Sequence, residues 1–261
     1  MRSAGKFWIA LLVLVIWMAV TVLVGLVQPH ATANQAALIS GEIIYSIIAA
    51  SVFLVVILLF LKWDRLGFQK PQPLKSVMLT WLPLGYIVLL LGGAIATGLP
   101  PATTVAIVLI NCLFVGFSEE AMFRGILFRG ALARMRILPA TIFTSAVFGL
   151  IHTLNVFATG QLTVAVIQSV AAFMSGMLYQ AIRIRTQSVY PMMVIHALWD
   201  FSLFMVVHSA GAVNEQPEIT FQSLIVPVML VIPLLGYGIY LLRNLERDFG
   251  WMSDKASRTS D

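Results

Sequence analysis

Charged residues are scarce in this chain. Only 10% of its 261 residues are Asp, Glu, Lys or Arg, whereas 60% are hydrophobic and the mean hydropathy is +0.95. Soluble globular domains carry about 25% charged residues, so the composition excludes an ordinary soluble protein. It indicates a polytopic membrane protein, in which the few charges must serve orientation or function.

Cysteine is almost absent as well. The single cysteine, Cys112, lies in an apolar stretch. One thiol cannot form an internal disulfide and cannot supply a cysteine-based metal site. We therefore expect Cys112 to be a small buried core residue.

Acidic residues are outnumbered by basic ones, 11 to 16, which gives a net charge of +5 and a pI near 9.6. In a soluble chain this excess would indicate a nucleic-acid partner. In a hydrophobic chain it is typical of basic loops on the cytoplasmic side of a membrane. We expect membrane lipid as a partner and no nucleic acid.

Long apolar runs occupy most of the sequence. A helix needs about 20 apolar residues to cross a bilayer, and a barrel would show alternating segments of roughly ten residues instead. The runs predict an all-α fold, a polytopic transmembrane helix bundle of about eight spans. The predicted spans are Phe7–Val27, Ile43–Leu61, Ser76–Ala96, Thr103–Phe128, Pro139–Val156, Leu162–Ile182, Val189–Val207 and Leu224–Leu242.

The basic residues give the orientation of these spans. With the N-terminus in the cytoplasm, every Lys and Arg except Arg124 falls in a cytoplasmic segment, and the outer loops contain none. An error of one span would scatter these charges over both faces. The pattern therefore predicts a topology with both termini inside.

The first span has two interpretations. Ala31-Thr32-Ala33 resembles a signal-peptidase site, but the apolar run before it has about 21 residues, longer than a usual signal sequence. We favour a retained span. Cleavage would leave the later spans unchanged.

The sequence divides into three parts without a linker to a soluble module. Residues 1–75 hold two leading helices and a loop whose prolines and charges mark a surface turn. Residues 76–207 hold five of the eight predicted spans and the polar residues discussed below. Residues 208–261 hold an outer loop, the last span and a cytoplasmic tail.

Two adjacent glutamates, Glu119 and Glu120, lie inside the fourth span with Arg124. A charge at the centre of a bilayer costs at least about 2.5–3.5 kcal/mol, so such residues indicate a functional site. Glu120 and Arg124 are spaced i,i+4, with the acid first, which favours a helical ion pair. Glu119 points about 100° away. We expect Glu120 to be structural and Glu119 to be free for chemistry.

Two other spans carry polar residues at compatible depth. His152 lies in the fifth span with Phe148 one turn earlier, and His196 and Asp200 share a face of the seventh. Small residues that permit close helix approach lie nearby: Gly116, Ser118, Gly125, Gly149, Ser175 and Gly176. We expect the three polar spans to meet at one site.

In chain order, these residues form the patterns E-E-x-x-x-R, F-x-x-x-H and H-x-x-x-D. The series resembles the CPBP family of intramembrane proteases, which includes CAAX prenyl endopeptidases and bacterial proteins linked to bacteriocin immunity. The resemblance covers about residues 76–207 and implies an endopeptidase that cleaves a membrane-associated peptide or protein.

The resemblance also implies roles for the matching residues. Glu119 activates a water with help from His152, Glu120 and Arg124 brace the site with Phe148 as a wall, and His196 with the residue at position 200 stabilises the oxyanion. The eukaryotic member has Asn at that last position. An ionised Asp cannot donate a hydrogen bond, so we expect Asp200 to orient His196 by accepting its ring N–H.

Metal use is left open by the sequence. Glu119, His152 and His196 could ligate Zn²⁺ with one open position, as in catalytic zinc sites. The H-E-x-x-H signature of zinc proteases is missing. We favour a site without an obligatory metal, and glutamate and metallo mechanisms both remain open.

Two other functions fit the same residues. The acids could relay protons in a transporter, although no pair of broken helices is evident. The glutamates and Arg124 could instead hold together a non-enzymatic immunity or scaffold protein. The compact chain, its lack of retention signals and Asp200 favour a bacterial plasma membrane and a substrate such as a membrane-anchored peptide.

Overall fold

The helices are described in a computed structural model, which covers residues 3–28, 42–211 and 220–254. The segment Ala31–Ala33 lies outside these residues. We number the α-helices in chain order: α1 Ser3–Val27, α2 Tyr45–Phe60, α3 Trp81–Thr97, α4 Ala102–Glu120, α5 Phe128–Leu132, α6 Ile137–Ile151, α7 Val156–Thr159, α8 Leu162–Thr186, α9 Tyr190–Ser209, α10 Phe221–Leu242 and α11 Leu245–Phe249.

Seven helical stretches are long and apolar enough to cross a membrane. They coincide with seven of the predicted spans, and the described residues contain no β-strand. The all-α, polytopic fold is therefore confirmed. The stretches are Gly5–Val27, Leu74–Thr97, Ala102–Leu132, Ile137–Asn155, Leu162–Thr186, Tyr190–Ser209 and Leu224–Leu242.

The remaining predicted span, Ile43–Leu61, is a shorter apolar helix. Helix α2 has 16 residues and is therefore about 24 Å long, less than the roughly 30 Å hydrocarbon core. It begins late because Ile44 is extended and its N–H donates to the side-chain oxygen of Asn111, 3.2 Å away. The described residues thus contain seven long spans and one shorter apolar helix, α2.

Packing brings the polar helices together. Helix α9 packs along α4 and α3, and α8 packs along α6 and α10. Helix α1 packs against α2 and α5. Helices α4, α6 and α9, which carry the predicted site residues, therefore converge in the interior of the bundle.

The fourth span is not a regular helix throughout. After Glu120 the backbone continues as a π-helix over Ala121–Leu127 and returns to α-helix at Phe128. All seven π-helical residues are buried. π-Helical turns are rare and occur frequently at functional sites, and no pattern in the sequence indicated this one.

The loop between α2 and the third span is more than a surface turn. Its prediction as a surface turn is wrong for Leu66 and Gly67, which are buried. Two backbone hydrogen bonds hold the loop against the α8–α9 turn, from Gln72 N–H to the Thr186 carbonyl (2.8 Å) and from Val189 N–H to the Gly67 carbonyl (2.9 Å). The loop, residues 61–73, therefore fixes the start of α9. We call this loop the strap.

Ion pairs gather both ends of the described chain at one end of the bundle. Arg129 pairs with Asp64 (3.2 Å) and with Asp254 (3.0 Å), and Lys6 also pairs with Asp64 (3.2 Å). The N-terminal helix, the strap and the C-terminal segment thus share one basic end. That this end faces the cytoplasm stays a prediction.

Glycines allow the polar helices to approach closely, as the small residues predicted. A Cβ added at Gly116 of α4 would lie 2.6 Å from the Met193 carbonyl oxygen of α9. A Cβ at Gly149 of α6 would lie 2.8 Å from the Ser169 carbonyl oxygen of α8. Backbone atoms cannot move aside as side chains can, so both positions require glycine.

We predict that Gly116→Ala destabilises the folded protein by about 1–3 kcal/mol, the usual penalty of overpacking. The matched control is Gly93→Ala in α3, where an added Cβ meets no atom within 4 Å and should have little effect. Thermal unfolding in detergent compares the two. Equal midpoints for both variants would contradict the proposed α4–α9 contact.

A second prediction concerns Asp64. Burial alone would raise the pKa of Asp64, but the hydrogen bond and charge of Arg129, together with Lys6, lower it to about 2 from an ordinary value of 3.8. The unfolded chain therefore binds more protons between about pH 4 and 2, so the stability contributed by Asp64 is present above pH 4 and lost as the pH falls towards 2.

Because the Asp64 side chain is 59% exposed, solvent screens its charge and we expect at most about 1 kcal/mol. Wild type should unfold at a higher temperature than Asp64→Asn at pH 6, and the gap should close by about pH 2–3. A gap that is constant over this range would show that the carboxylate charge contributes nothing.

Candidate active site

Three helices supply the polar residues of the interior. Glu119 and Glu120 end α4 where the π-helix begins, and His196 and Asp200 lie one turn apart within α9. His152 follows the last residue of α6 and opens a short 3₁₀ turn. The bundle thus brings together the residues that the sequence predicted.

Glu120 is sealed inside the protein with two partners. Its side chain is 0% exposed, and its Oε1 lies 3.1 Å from Nη1 of Arg124. The predicted i,i+4 ion pair is therefore confirmed. The same oxygen accepts a hydrogen bond from Nδ1 of His196, 2.8 Å away, so Glu120 also fixes the ring of the histidine on α9.

Arg124 lies between aromatic rings. Its Cζ is 4.0 Å from the centre of the Phe148 ring and 5.5 Å from that of Tyr179. A Cβ at Gly176 would come within 3.3 Å of Nη2 of Arg124, so glycine leaves room for the guanidinium. A desolvated cation over an aromatic face gains about 2 kcal/mol. The rings and Glu120 together stabilise this buried charge.

Glu119 has a different environment from its neighbour. Its side chain is 19% exposed, and its Oε2 lies 3.7 Å from Nε2 of His196. Among the described residues, no group donates a hydrogen bond to that oxygen. Glu119 is therefore less buried than Glu120, and its Oε2 has no hydrogen-bond partner among these residues.

Asp200 lies on the same side of His196 as Glu119. Its Oδ2 is 3.5 Å from Nε2 of His196, and its side chain is 24% exposed. That Asp200 orients the ring by accepting an N–H stays a prediction. Nδ1 of the same ring makes a short hydrogen bond to Glu120, where α4 and α9 pack closely at Gly116.

His152 is fixed by the backbone of its own helix. Its Nδ1 lies 2.7 Å from the Phe148 carbonyl, and because a carbonyl can only accept, Nδ1 carries the hydrogen. The Phe148 ring packs edge-on against the imidazole at 4.8 Å. When the ring is neutral, Nε2 is the acceptor. Phe148 is the wall that the sequence predicted.

Two features of the site were not predicted from the sequence. Tyr179 of α8 packs against both Arg124 and the His196 ring, whose centre is 5.5 Å away. Trp17 of α1 donates a hydrogen bond to the hydroxyl of Ser118, 2.8 Å away. The signal in the sequence that could have indicated Tyr179 is its position three residues after Gly176 within a predicted span.

The side chains proposed as zinc ligands do not form a ligand set. In the described parts of the chain, no three His, Cys, Asp or Glu side chains converge in a way that could hold a metal ion. We therefore assign no chemical step to Zn²⁺.

Acids, histidines and a buried arginine in the interior of a membrane helix bundle are typical of intramembrane proteins with a functional polar site. Residues 101–202 match the family model described as Rce1-like, type II CAAX prenyl endopeptidase. Residues 101–202 are therefore similar to that family, which confirms the resemblance of this part of the chain to CPBP intramembrane proteases. No curated protein and no solved structure matches the chain.

The two glutamates allow a matched stability test. Glu120→Gln would leave Arg124 buried without its counter-ion, and breaking a buried pair costs about 3–5 kcal/mol. Glu119→Gln removes a carboxylate that accepts no hydrogen bond at Oε2 and should change stability by less than about 1 kcal/mol. Thermal unfolding in detergent measures both, and similar losses for the two isosteric variants would refute the division of roles.

Proposed function

We propose that this protein is an intramembrane endopeptidase in which Glu119 activates the attacking water. At family level the chain is a CAAX-type intramembrane protease; the glutamate mechanism is our inference. The observation that carries it is the contrast between two adjacent glutamates. Glu120 is sealed and paired, whereas Glu119 is partly exposed and uncommitted beside His196.

In the proposed first step, Glu119 takes a proton from a water molecule while the water oxygen attacks the carbonyl carbon of the peptide bond. Nε2 of His152 accepts a hydrogen bond from the other hydrogen of that water, which stays on the oxygen, and so orients the water. A tetrahedral intermediate forms, whose oxygen carries the negative charge. Positioning and proton transfer by such groups accelerate reactions by about 10²–10⁴-fold each.

His196 is suited to stabilise this oxygen. Because Nδ1 donates to Glu120, Nε2 can donate only when the ring carries both protons, and three carboxylates within 4 Å support that charge. Glu119 then returns its proton to the departing amine as the C–N bond breaks. All atoms and charges balance without a metal.

The class of substrate is a further part of the same proposal. The family description names a prenyl endopeptidase, whereas the sequence favours a bacterial membrane-anchored peptide. The substrate of a prenyl endopeptidase and a membrane-anchored bacterial peptide are both peptides tethered to a membrane. A panel of farnesylated CAAX-type peptides and acylated, non-prenylated peptides therefore covers both chemistries.

We predict that purified wild type cleaves a member of this panel and that Glu119→Gln loses at least about 10³-fold in kcat. His152→Ala should lose about 10²–10⁴-fold. Glu42→Gln, at an exposed glutamate outside the site, is the matched control and should retain activity. Mass spectrometry of the products in liposomes measures the rates.

Two results would overturn the proposal. One is Glu119→Gln cleaving within threefold of wild type while its thermal midpoint is unchanged. The other is proton movement by wild type in liposomes without cleavage of any peptide, which would favour a relay. A chelator added to the same assay should leave the rate unchanged, and a loss restored by Zn²⁺ would contradict the metal-free mechanism.

A further inference from the structure

Arg183, near the end of α8, is a buried cation without a counter-ion. Only 1% of its surface is exposed, and no carboxylate of the described residues pairs with its guanidinium. Nη2 donates a hydrogen bond to the Arg65 carbonyl oxygen, 3.1 Å away, whereas Nε and Nη1 have no partner among these residues. A buried charge is costly unless it is paired. An unpaired guanidinium in the interior therefore points to an anion that is bound nearby.

The acid of the strap does not neutralise Arg183. Asp64 is the only acidic residue of the strap. Its carboxylate already pairs with Lys6 (3.2 Å), Arg129 (3.2 Å) and Arg65 (3.5 Å). Three cations therefore share the charge of Asp64, and the charge of Arg183 remains uncompensated.

Gly67 of the strap connects this cation to a cavity. A Cβ added at Gly67 would overlap Cζ, Nη2 and Nε of Arg183, so the guanidinium packs directly against the glycine backbone. The φ angle of +93° also favours glycine at this position. Gly67 at the same time lines a cavity of about 310 Å³. A single residue without a side chain therefore separates the positive charge from the cavity.

The walls of this cavity combine apolar and polar groups. Besides Gly67, they are formed mainly by the residues Leu58, Trp63, Arg65, Phe68 and Gln69. The N–H of Gly67 makes no hydrogen bond to another described residue, although the residue is buried. Buried N–H groups are seldom left unpaired. A cation in the wall, a second cation behind it and a free N–H suit an anionic group, while the aromatic and aliphatic side chains suit an apolar one.

The position of the cavity favours a membrane lipid over a soluble anion. Leu58 belongs to the last turn of the apolar helix α2, whose final residues Leu59 and Phe60 are 73% and 78% exposed. Large exposed apolar side chains of this kind contact lipid in a membrane protein, and Trp63 has the amphipathic ring that is common at the membrane interface. Basic pockets at this level bind the head groups of anionic lipids.

We propose that this cavity binds the phosphate group of an anionic phospholipid. The N–H of Gly67 and the guanidinium of Arg65 donate hydrogen bonds to the phosphate, and Arg183 attracts it across Gly67 without touching it. The rings of Trp63 and Phe68 contact the glycerol and the first methylene groups. This inference goes beyond the proposed peptidase activity and does not rest on it.

The test is a titration of the full-length protein in detergent with phosphatidylglycerol, followed by native mass spectrometry. Arg183→Gln removes the unpaired charge. Arg185→Gln is the matched control, because Arg185 lies two residues further along α8 and pairs with Asp248 (3.1 Å). We expect wild type to bind one lipid saturably, Arg183→Gln to bind it about 10–100-fold more weakly, and Arg185→Gln to stay within threefold of wild type.

Two further ligands identify the source of the anion. Phosphatidylcholine has no net charge and should bind wild type at least about tenfold more weakly than phosphatidylglycerol. Equal binding of the two lipids would show that charge does not select the ligand. Inorganic phosphate should not displace the lipid, and displacement at equal concentration would assign the cavity to a soluble anion and refute the lipid.

The variants decide whether the lipid binds at this cavity. Equal affinity of Arg183→Gln and wild type would refute the site, and so would equal losses in Arg183→Gln and Arg185→Gln, which would indicate attraction by surface charge in general. If Arg183→Gln does not fold, Arg65→Gln replaces it, because the Arg65 side chain is 38% exposed. A loss of about tenfold in this variant supports the site, and wild-type affinity overturns it.

Discussion

The buried group formed by Glu120, Arg124 and His196 is the interaction on which the interior depends. Its Glu120 oxygen lies 3.1 Å from the guanidinium and 2.8 Å from the imidazole. Each charge alone would be costly in a bilayer, and the contact between the opposite charges offsets part of that cost. This group joins α4 to α9 and gives the π-helix a fixed cation.

The π-helix carries Arg124, and the strap packs against the π-helix. An irregular backbone within a membrane is tolerated only where protein covers it, and every residue of Ala121–Leu127 is buried. Part of that cover comes from the strap, since a Cβ at Gly125 would lie 3.3 Å from the Phe68 ring. The π-helix at the site is therefore covered in part by a loop that is distant in the sequence.

Sequence periodicity and hydropathy predicted the parts of the molecule that are set locally. Seven spans follow from apolar length, and the Glu120–Arg124 pair follows from helical spacing. The partner of Nδ1 of His196 depends on how closely α4 and α9 pack, which no single helix encodes. The π-helix, the buried strap and the contact of Tyr179 are likewise tertiary effects, so local patterns could not indicate them.

Exposure rises across the site in an order that suits hydrolysis. Glu120 is 0% exposed, His196 7%, Glu119 19% and Asp200 24%. A water and a peptide carbonyl can therefore approach from the side of Glu119 and Asp200, while the charge that holds the ring of His196 stays sealed. Keeping that charge away from solvent keeps its electrostatic interaction strong. The adjacent glutamates differ because the side chain of Glu120 is fully buried, whereas that of Glu119 is partly exposed.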